Sequence, residues 1–297
     1  MNLQSSDEAI RLNAYRHMSN RGYLKKVANA GSDLERWRQY LEQLGRPGLL
    51  KSVDPMIQPR IFPMMEDLPT PAWQDTSLVP ASAVLEKSLA TFQREIAAVA
   101  ASQHISYTGG RILAGGKWTV MPIFVFGEET GALLYSTNPF PETTRIIGNL
   151  PDACTKLPLA DTIFSAHAPK TRLIPHFSWD PFRLRLHLGI QVPNNCGIRV
   201  GNERREWQEG KVLAFHDSYE HETWNESEQT RIVLIVDIWH PQLTAIERRA
   251  ILACFRKREI RSALMKSRTP AQFQPTFERR FAEAERTDPL IAEFWDA

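Results

Sequence analysis

Between Phe182 and Val192 the apolar residues Phe182, Leu184, Leu186, Leu188, Ile190 and Val192 fall at every second position. Arg183, Arg185, His187, Gly189 and Gln191 fill the places between them. A period of two marks a strand with one face on a hydrophobic layer. The opposite face then carries Arg185 and His187 two residues apart, pointing the same way. A second run, Arg231-Ile-Val-Leu-Ile-Val-Asp-Ile-Trp239, is too apolar for a sheet edge and predicts a strand buried on both faces. Arg231 opens that run, and a guanidinium there needs an anionic partner, because an unpaired interior charge is costly.

His176 and His221 lie in the same region as these strands. Neutral imidazoles with open coordination positions beside them suit a redox metal such as Fe(II). Two arginines on neighbouring strands suit a small dicarboxylate, which each guanidinium can grip bidentately. Metal plus dicarboxylate points to an oxygenase. Periodicity does not say which histidines would hold the metal. His240, in a Trp-His-Pro turn, reads as structural, and His17, His104 and His167 have no supporting context.

The order of motifs is more specific than any of them alone. Arg-Leu-Arg-Leu-His-Leu-Gly (183–189), Glu-Gly-Lys-Val-Leu (209–213), Asp-Ser-Tyr-Glu-His-Glu-Thr-Trp-Asn (217–225) and the run 231–241 closely resemble the aspartyl/asparaginyl β-hydroxylase family. Fainter elements are Arg60-Ile-Phe-Pro and Phe140-Pro-Glu-Thr-Thr. The resemblance implies an Fe(II)- and 2-oxoglutarate-dependent dioxygenase that consumes O2. Its expected fold is mainly β with flanking helices, around a double-stranded β-helix (jelly-roll, cupin-like) core. It assigns His176 and His221 to the metal, and Ser165, Arg185, His187 and Arg231 to 2-oxoglutarate. The implied reaction is hydroxylation of an unactivated C–H bond of a small substrate: an amino acid, a carrier-bound aminoacyl group or a related acid. The alternatives are a non-catalytic ligand-binding protein on the same barrel, and a hydroxylase of a protein Asp/Asn side chain.

Two residues, Ser178 and His216, depart from the family's pattern. The position two after His176, where other oxygenases of this chemistry carry a carboxylate ligand, holds Ser178, whereas this family has glycine. The Ser178 hydroxyl is a candidate partner for a metal-bound water. Asp180 is a candidate third ligand only if a tight loop bends it back, since an extended chain would carry it about 13 Å away. His216 stands where the family has an acidic residue, and is a candidate substrate contact.

Composition frames the rest. Lys+Arg 36 against Asp+Glu 34 gives a net charge of +2, no argument for nucleic acid. Three cysteines without pairing signals suit a reducing, cytoplasmic compartment. No apolar run reaches membrane-span length, and the start lacks the features of a secretory signal, so no membrane association is expected. The expected divisions are a helical extension over 1–55, the oxygenase domain over 56–245 and a second helical extension over 246–297. Ser32-Asp33 is expected to cap a helix ending near Gly45, and 84–102 to form one amphipathic helix. The basic cluster Arg256, Lys257, Arg258 and Arg261 offers a lid or a homodimer surface, while helices simply covering a sheet are the plainer account.

Overall fold

The computed structural model describes residues 3–47, 56–57, 61–99, 105–106, 112–135 and 137–295. Arg60 and His104 lie outside the described residues. The strands are β1 (Trp73–Gln74), β2 (Ile105–Ser106), β3 (Leu113–Gly115), β4 (Trp118–Val125), β5 (Glu128–Glu129), β6 (Asp161–His167), β7 (Thr171–His176), β8 (Arg183–Gln191), β9 (Cys196–Val200), β10 (Glu203–Glu206), β11 (Val212–Phe215), β12 (His221–Asn225) and β13 (Arg231–Trp239).

The strands from β6 onward are shared between two antiparallel sheets. One runs β11-β8-β13-β6 and the other β10-β9-β12-β7. Each sheet interleaves early and late strands, so the chain winds twice around one axis. This is the double-stranded β-helix, the cupin-like core expected from the sequence. β4 and β2 extend the first sheet beyond β6, β1 extends it beyond β11, and β3 extends the second beyond β7.

Alternation in β8 sorts its side chains as expected. Leu184, Leu186, Leu188 and Ile190 join Phe164, Leu234 and Val236 in a core behind the larger sheet. Phe182, just outside the strand, packs instead into a cluster of helices. β13 is buried along nearly its whole length, because β6 and β8 flank it and both of its faces are covered. Between the sheets lies a smaller core of Ile198, Val200, Trp207, Phe215, Val233 and Ile235. Gly189 permits a close crossing, since a Cβ there would stand 2.3 Å from the Gln208 carbonyl oxygen.

The helices are α1 (Leu3–Asn20), α2 (Tyr23–Ala28), α3 (Glu35–Leu44), α4 (Pro80–Lys87), α5 (Leu89–Ala97), α6 (Gly131–Leu134), α7 (Pro141–Gly148), α8 (Ala245–Arg256), α9 (Arg258–Arg268), α10 (Gln274–Thr287) and α11 (Pro289–Trp295). The single helix expected over 84–102 is instead α4 and α5, with the break at Ser88. The Ser88 hydroxyl donates to the Val84 carbonyl oxygen (2.8 Å), a bond that competes with helix continuation. Leu85, Phe92 and Ile96 still reach the same core, which is why the apolar spacing looked continuous. Ser32 and Asp33 occupy a 3₁₀ turn, so Leu34 precedes α3 without a side-chain cap, and Gly45 ends that helix as expected.

The two helical ends share one core. Trp37, Tyr40 and Leu41 pack with Ile251, Phe255, Leu264 and Trp295. Tyr23 donates to the Ala250 carbonyl oxygen (2.6 Å) while accepting from Trp37 Nε1 (2.9 Å). Thr244 and Glu247 close a reciprocal capping box at the start of α8. The basic cluster is engaged within the chain: Arg256 with Asp288, Lys257 with Glu285, Arg258 with Glu278, and Arg261 with Glu128. Among the described residues no helix is long and apolar enough to cross a membrane. Because Leu234 is fully buried at the centre of the larger sheet, Leu234→Ala should cost about 2–5 kcal/mol of stability. Denaturant unfolding checks this, with the midpoint falling and the slope unchanged.

Candidate active site

His176 ends β7 and His221 begins β12, and the antiparallel register sets them directly opposite each other. Their ring centroids are 4.1 Å apart. The Nδ1 of His176 lies 2.7 Å from the Ile174 carbonyl oxygen, and that of His221 lies 2.9 Å from the Tyr219 carbonyl oxygen. A carbonyl only accepts, so each Nδ1 carries the proton and each lone pair is on Nε2. Burial, with His176 close by, holds His221 well below its usual pKa and therefore neutral. Among the described residues no third His, Cys, Asp or Glu joins the two into a metal-binding group.

Asp180 does not complete this pair. Its carboxylate accepts from the Phe182 amide (3.0 Å) and from Arg183 Nε (3.0 Å), because the chain turns back into β8 immediately after it. Ser178 turns the same way: its hydroxyl lies 3.5 Å from the Asp180 carbonyl oxygen, and its amide donates to that of Asp217 (2.8 Å). His216 packs against His240, ring centroids 5.0 Å apart. His240 is structural, as expected from its turn, with Nε2 on the Pro69 carbonyl oxygen (2.9 Å).

A buried ionic network lies beside the histidines. Arg183 reaches Asp180, Asp217 (2.9 Å) and Asp237 (2.7 Å). Arg185 grips Asp237 through Nε and Nη2, both at 2.8 Å, and also meets Asp217 (3.0 Å) and Asp161 (3.5 Å). Arg268, from α9, binds Asp161 at 2.5 Å. Burial opposes the charge on Arg183 and Arg185, but the aspartates outweigh it and raise both. At Asp180 burial outweighs the attraction of Arg183 and pushes it up to about 6. Arg185 thus stands at the site with most of its donors already committed.

Arg231 is buried like Arg183 but lacks its carboxylate partners among the described residues. It is 1% exposed, and no salt bridge reaches it among the described residues. Its Nη1 donates to the Ser165 carbonyl oxygen (3.2 Å), its Nε has no partner among the described residues, and its guanidinium lies over Trp207, 4.5 Å from the ring centroid. Burial without a carboxylate lowers it to about 9, so it remains a cation at neutral pH. His187 shares the space, stacked on Trp207 (5.9 Å) and edge-on to Phe215 (4.8 Å), with both ring nitrogens buried and unpartnered among the described residues. Phe215 in turn lies 6.0 Å from His221. A continuous wall therefore leads from the histidine pair to Arg231. The Ser165 hydroxyl accepts from Trp118 Nε1 (3.0 Å).

The structure brings together His176, His221, Arg185, His187, Arg231 and Ser165 as one site. It also adds residues the sequence reading did not single out. His167 closes β6 opposite Arg231, and Trp207, Phe215 and Trp118 form the aromatic wall. The Ser165-x-His167 spacing, the same as Arg185-x-His187, was the available signal for His167.

Comparison with known sequences agrees with this architecture. The profile described as Aspartyl/Asparaginyl beta-hydroxylase matches residues 82–241, more than half of the chain, so the chain belongs to that family. The aspartyl/asparaginyl beta-hydroxylase of Mus musculus is 47% identical over 91 residues, covering 30% of this chain and 12% of that protein. Aspartate beta-hydroxylase domain-containing protein 2 of Xenopus tropicalis is 30% identical over 68% of this chain and 56% of its own. The ornithine lipid ester-linked acyl 2-hydroxylase of Rhizobium tropici is 32% identical over 59% of this chain and 62% of its own. The chain thus spans less than two thirds of the length of each of these relatives.

The buried histidines set the response to acid. Burial depresses His167, His187 and His221 well below the usual histidine value, His216 to about 3 and His240 to about 4. The unfolded chain takes up these protons below about pH 6.5 while the native one does not, so stability is lost as pH falls through that point. Asp180 contributes the opposite slope between about pH 4 and 6, but is outnumbered. The melting temperature should fall between pH 7.5 and 5.5, and fall less in His187→Asn, as read by thermal denaturation at each pH.

Proposed function

We propose that this protein is an Fe(II)- and 2-oxoglutarate-dependent dioxygenase that hydroxylates an unactivated C–H bond of a small substrate. The observation that carries this reading is Arg231, a fully buried cation with no carboxylate partner among the described residues, on the same wall as two histidines that present Nε2 lone pairs. The donor set fits both groups. His176 and His221 would hold the iron through Nε2, and Ser165, Arg185, His187 and Arg231 would hold 2-oxoglutarate. When bound, iron and 2-oxoglutarate supply the oxidising power for inserting oxygen from O2 into a C–H bond.

The chain's own residues do the positioning. Arg231 offers its charge to the distal carboxylate, with Trp207 holding the guanidinium flat. Asp237 and Asp217 fix Arg185 in place at the edge of the site. His187 stays neutral through burial beside Arg185 and Arg231, and serves as a hydrogen-bond partner instead of a competing charge. Phe215, Trp207 and Ile235 exclude water from the space between histidines and arginine.

The family and the Rhizobium tropici relative support hydroxylation, with amino acids, carrier-bound aminoacyl groups and lipid-linked acids as the substrate classes to screen. Three buried free thiols suit a cytoplasmic setting. The test is anaerobic titration of the Fe(II)-loaded protein with 2-oxoglutarate, followed by the visible metal-to-ligand charge-transfer band. His176→Ala or His221→Ala should abolish the band and iron binding. Arg231→Ala should weaken 2-oxoglutarate by roughly 10- to 100-fold with iron affinity near normal. Iron loss with unchanged 2-oxoglutarate affinity in Arg231→Ala would reverse these roles. Stoichiometric succinate release with a substrate would exclude a purely binding protein.

A further inference from the structure

His167 is the last residue of β6, on the same strand face as Ser165. It is 1% exposed, and its Nδ1 has no hydrogen-bond partner among the described residues. A buried polar nitrogen left unpaired is expected to meet a ligand or a water. Its surroundings favour an anion. Across the sheet its register partner is Arg231, whose Nε is likewise unpartnered and which no carboxylate reaches among the described residues. On its other side the partner is Trp118, whose ring lies edge-on at 6.1 Å.

Ser165 adds a direction. Its Oγ already accepts from Trp118 Nε1, so its own proton is left for a further acceptor. Two adjacent strands, β6 and β13, therefore bring Arg231, Ser165 and His167 together on one face of the sheet, and each can donate. Burial and the neighbouring Arg231 keep the His167 imidazole neutral, so it can donate without adding a second buried charge.

We infer that His167 is a further co-substrate residue, whose Nδ1–H joins Arg231 and the Ser165 hydroxyl on the distal carboxylate and so sets the length of oxo acid accepted. This rests on the 2-oxoglutarate reading and extends it to a residue that the family resemblance does not assign.

The experiment is calorimetric titration of the Mn(II)-loaded protein with 2-oxoglutarate, with the longer 2-oxoadipate, and with 2-oxopentanoate, which has the same five-carbon chain but no distal carboxylate. His167→Leu, close in volume and apolar, should weaken 2-oxoglutarate by roughly 10- to 100-fold and leave 2-oxopentanoate unchanged. It should also narrow the preference over 2-oxoadipate. The melting temperature without co-substrate should hold or rise, because an unpaired buried nitrogen is removed. His167→Asn, which returns a donor near the place of Nδ1, should recover most of the affinity. Equal weakening of both five-carbon acids, a lowered melting temperature, or unchanged 2-oxoglutarate affinity in His167→Leu would each overturn the assignment of His167 alone. Wild-type protein that binds no oxo acid would overturn the 2-oxoglutarate reading and this inference with it.

Discussion

Asp237 sits near the end of the most buried strand and holds both Arg183 and Arg185 across the β8–β13 ladder. The same two arginines reach Asp217, four residues before His221, while Arg183 also holds Asp180, four residues after His176. The backbone segments that deliver the two histidines are thus tied to the centre of the larger sheet, although the histidines themselves belong to the smaller one. Removing one partner from such a network leaves a buried charge uncompensated, a loss of roughly 3–5 kcal/mol. The distance between the histidines depends on these bonds as much as on the β7–β12 register.

A contrast of charge then divides the interior. Around Arg183 and Arg185 the aspartates satisfy nearly every donor, and Arg268 on α9 adds a further link through Asp161. Around Arg231 no Asp or Glu pairs with it among the described residues, and its neighbours include Trp207, His187, His167, Ser165 and Cys196. The first region is closed on itself and rigid. The second carries an uncompensated positive charge under a hydrophobic cover, where an added anion gains most from the low dielectric. The helical ends contribute to this division, since Arg268 also stacks on Trp179, in the segment just after His176.

Much of this was legible in the chain. Strict alternation in β8 and the apolar run of β13 reveal a two-sided sheet, because burial of alternate side chains follows from strand geometry alone. Arg231 announced itself as a charge in need of a partner. Asp180 and Ser178 were not legible, because whether a loop folds toward the metal side or toward Arg183 depends on contacts with Asp217 and Phe182 distant in sequence or set by the turn. The break at Ser88 was hidden for another reason: a side-chain bond to Val84 interrupted the helix without disturbing the apolar spacing.

The sequence by itself determined the strand pattern, the family and the residue types available for metal and dicarboxylate chemistry, since these depend on local periodicity and motif order. Only the tertiary structure decided which charges meet. It placed Arg185 among aspartates and Arg231 with none among the described residues, two outcomes that no spacing along the chain distinguishes. It also set His167 opposite Arg231, because antiparallel register is fixed by packing over the whole sheet and brings together residues 64 positions apart.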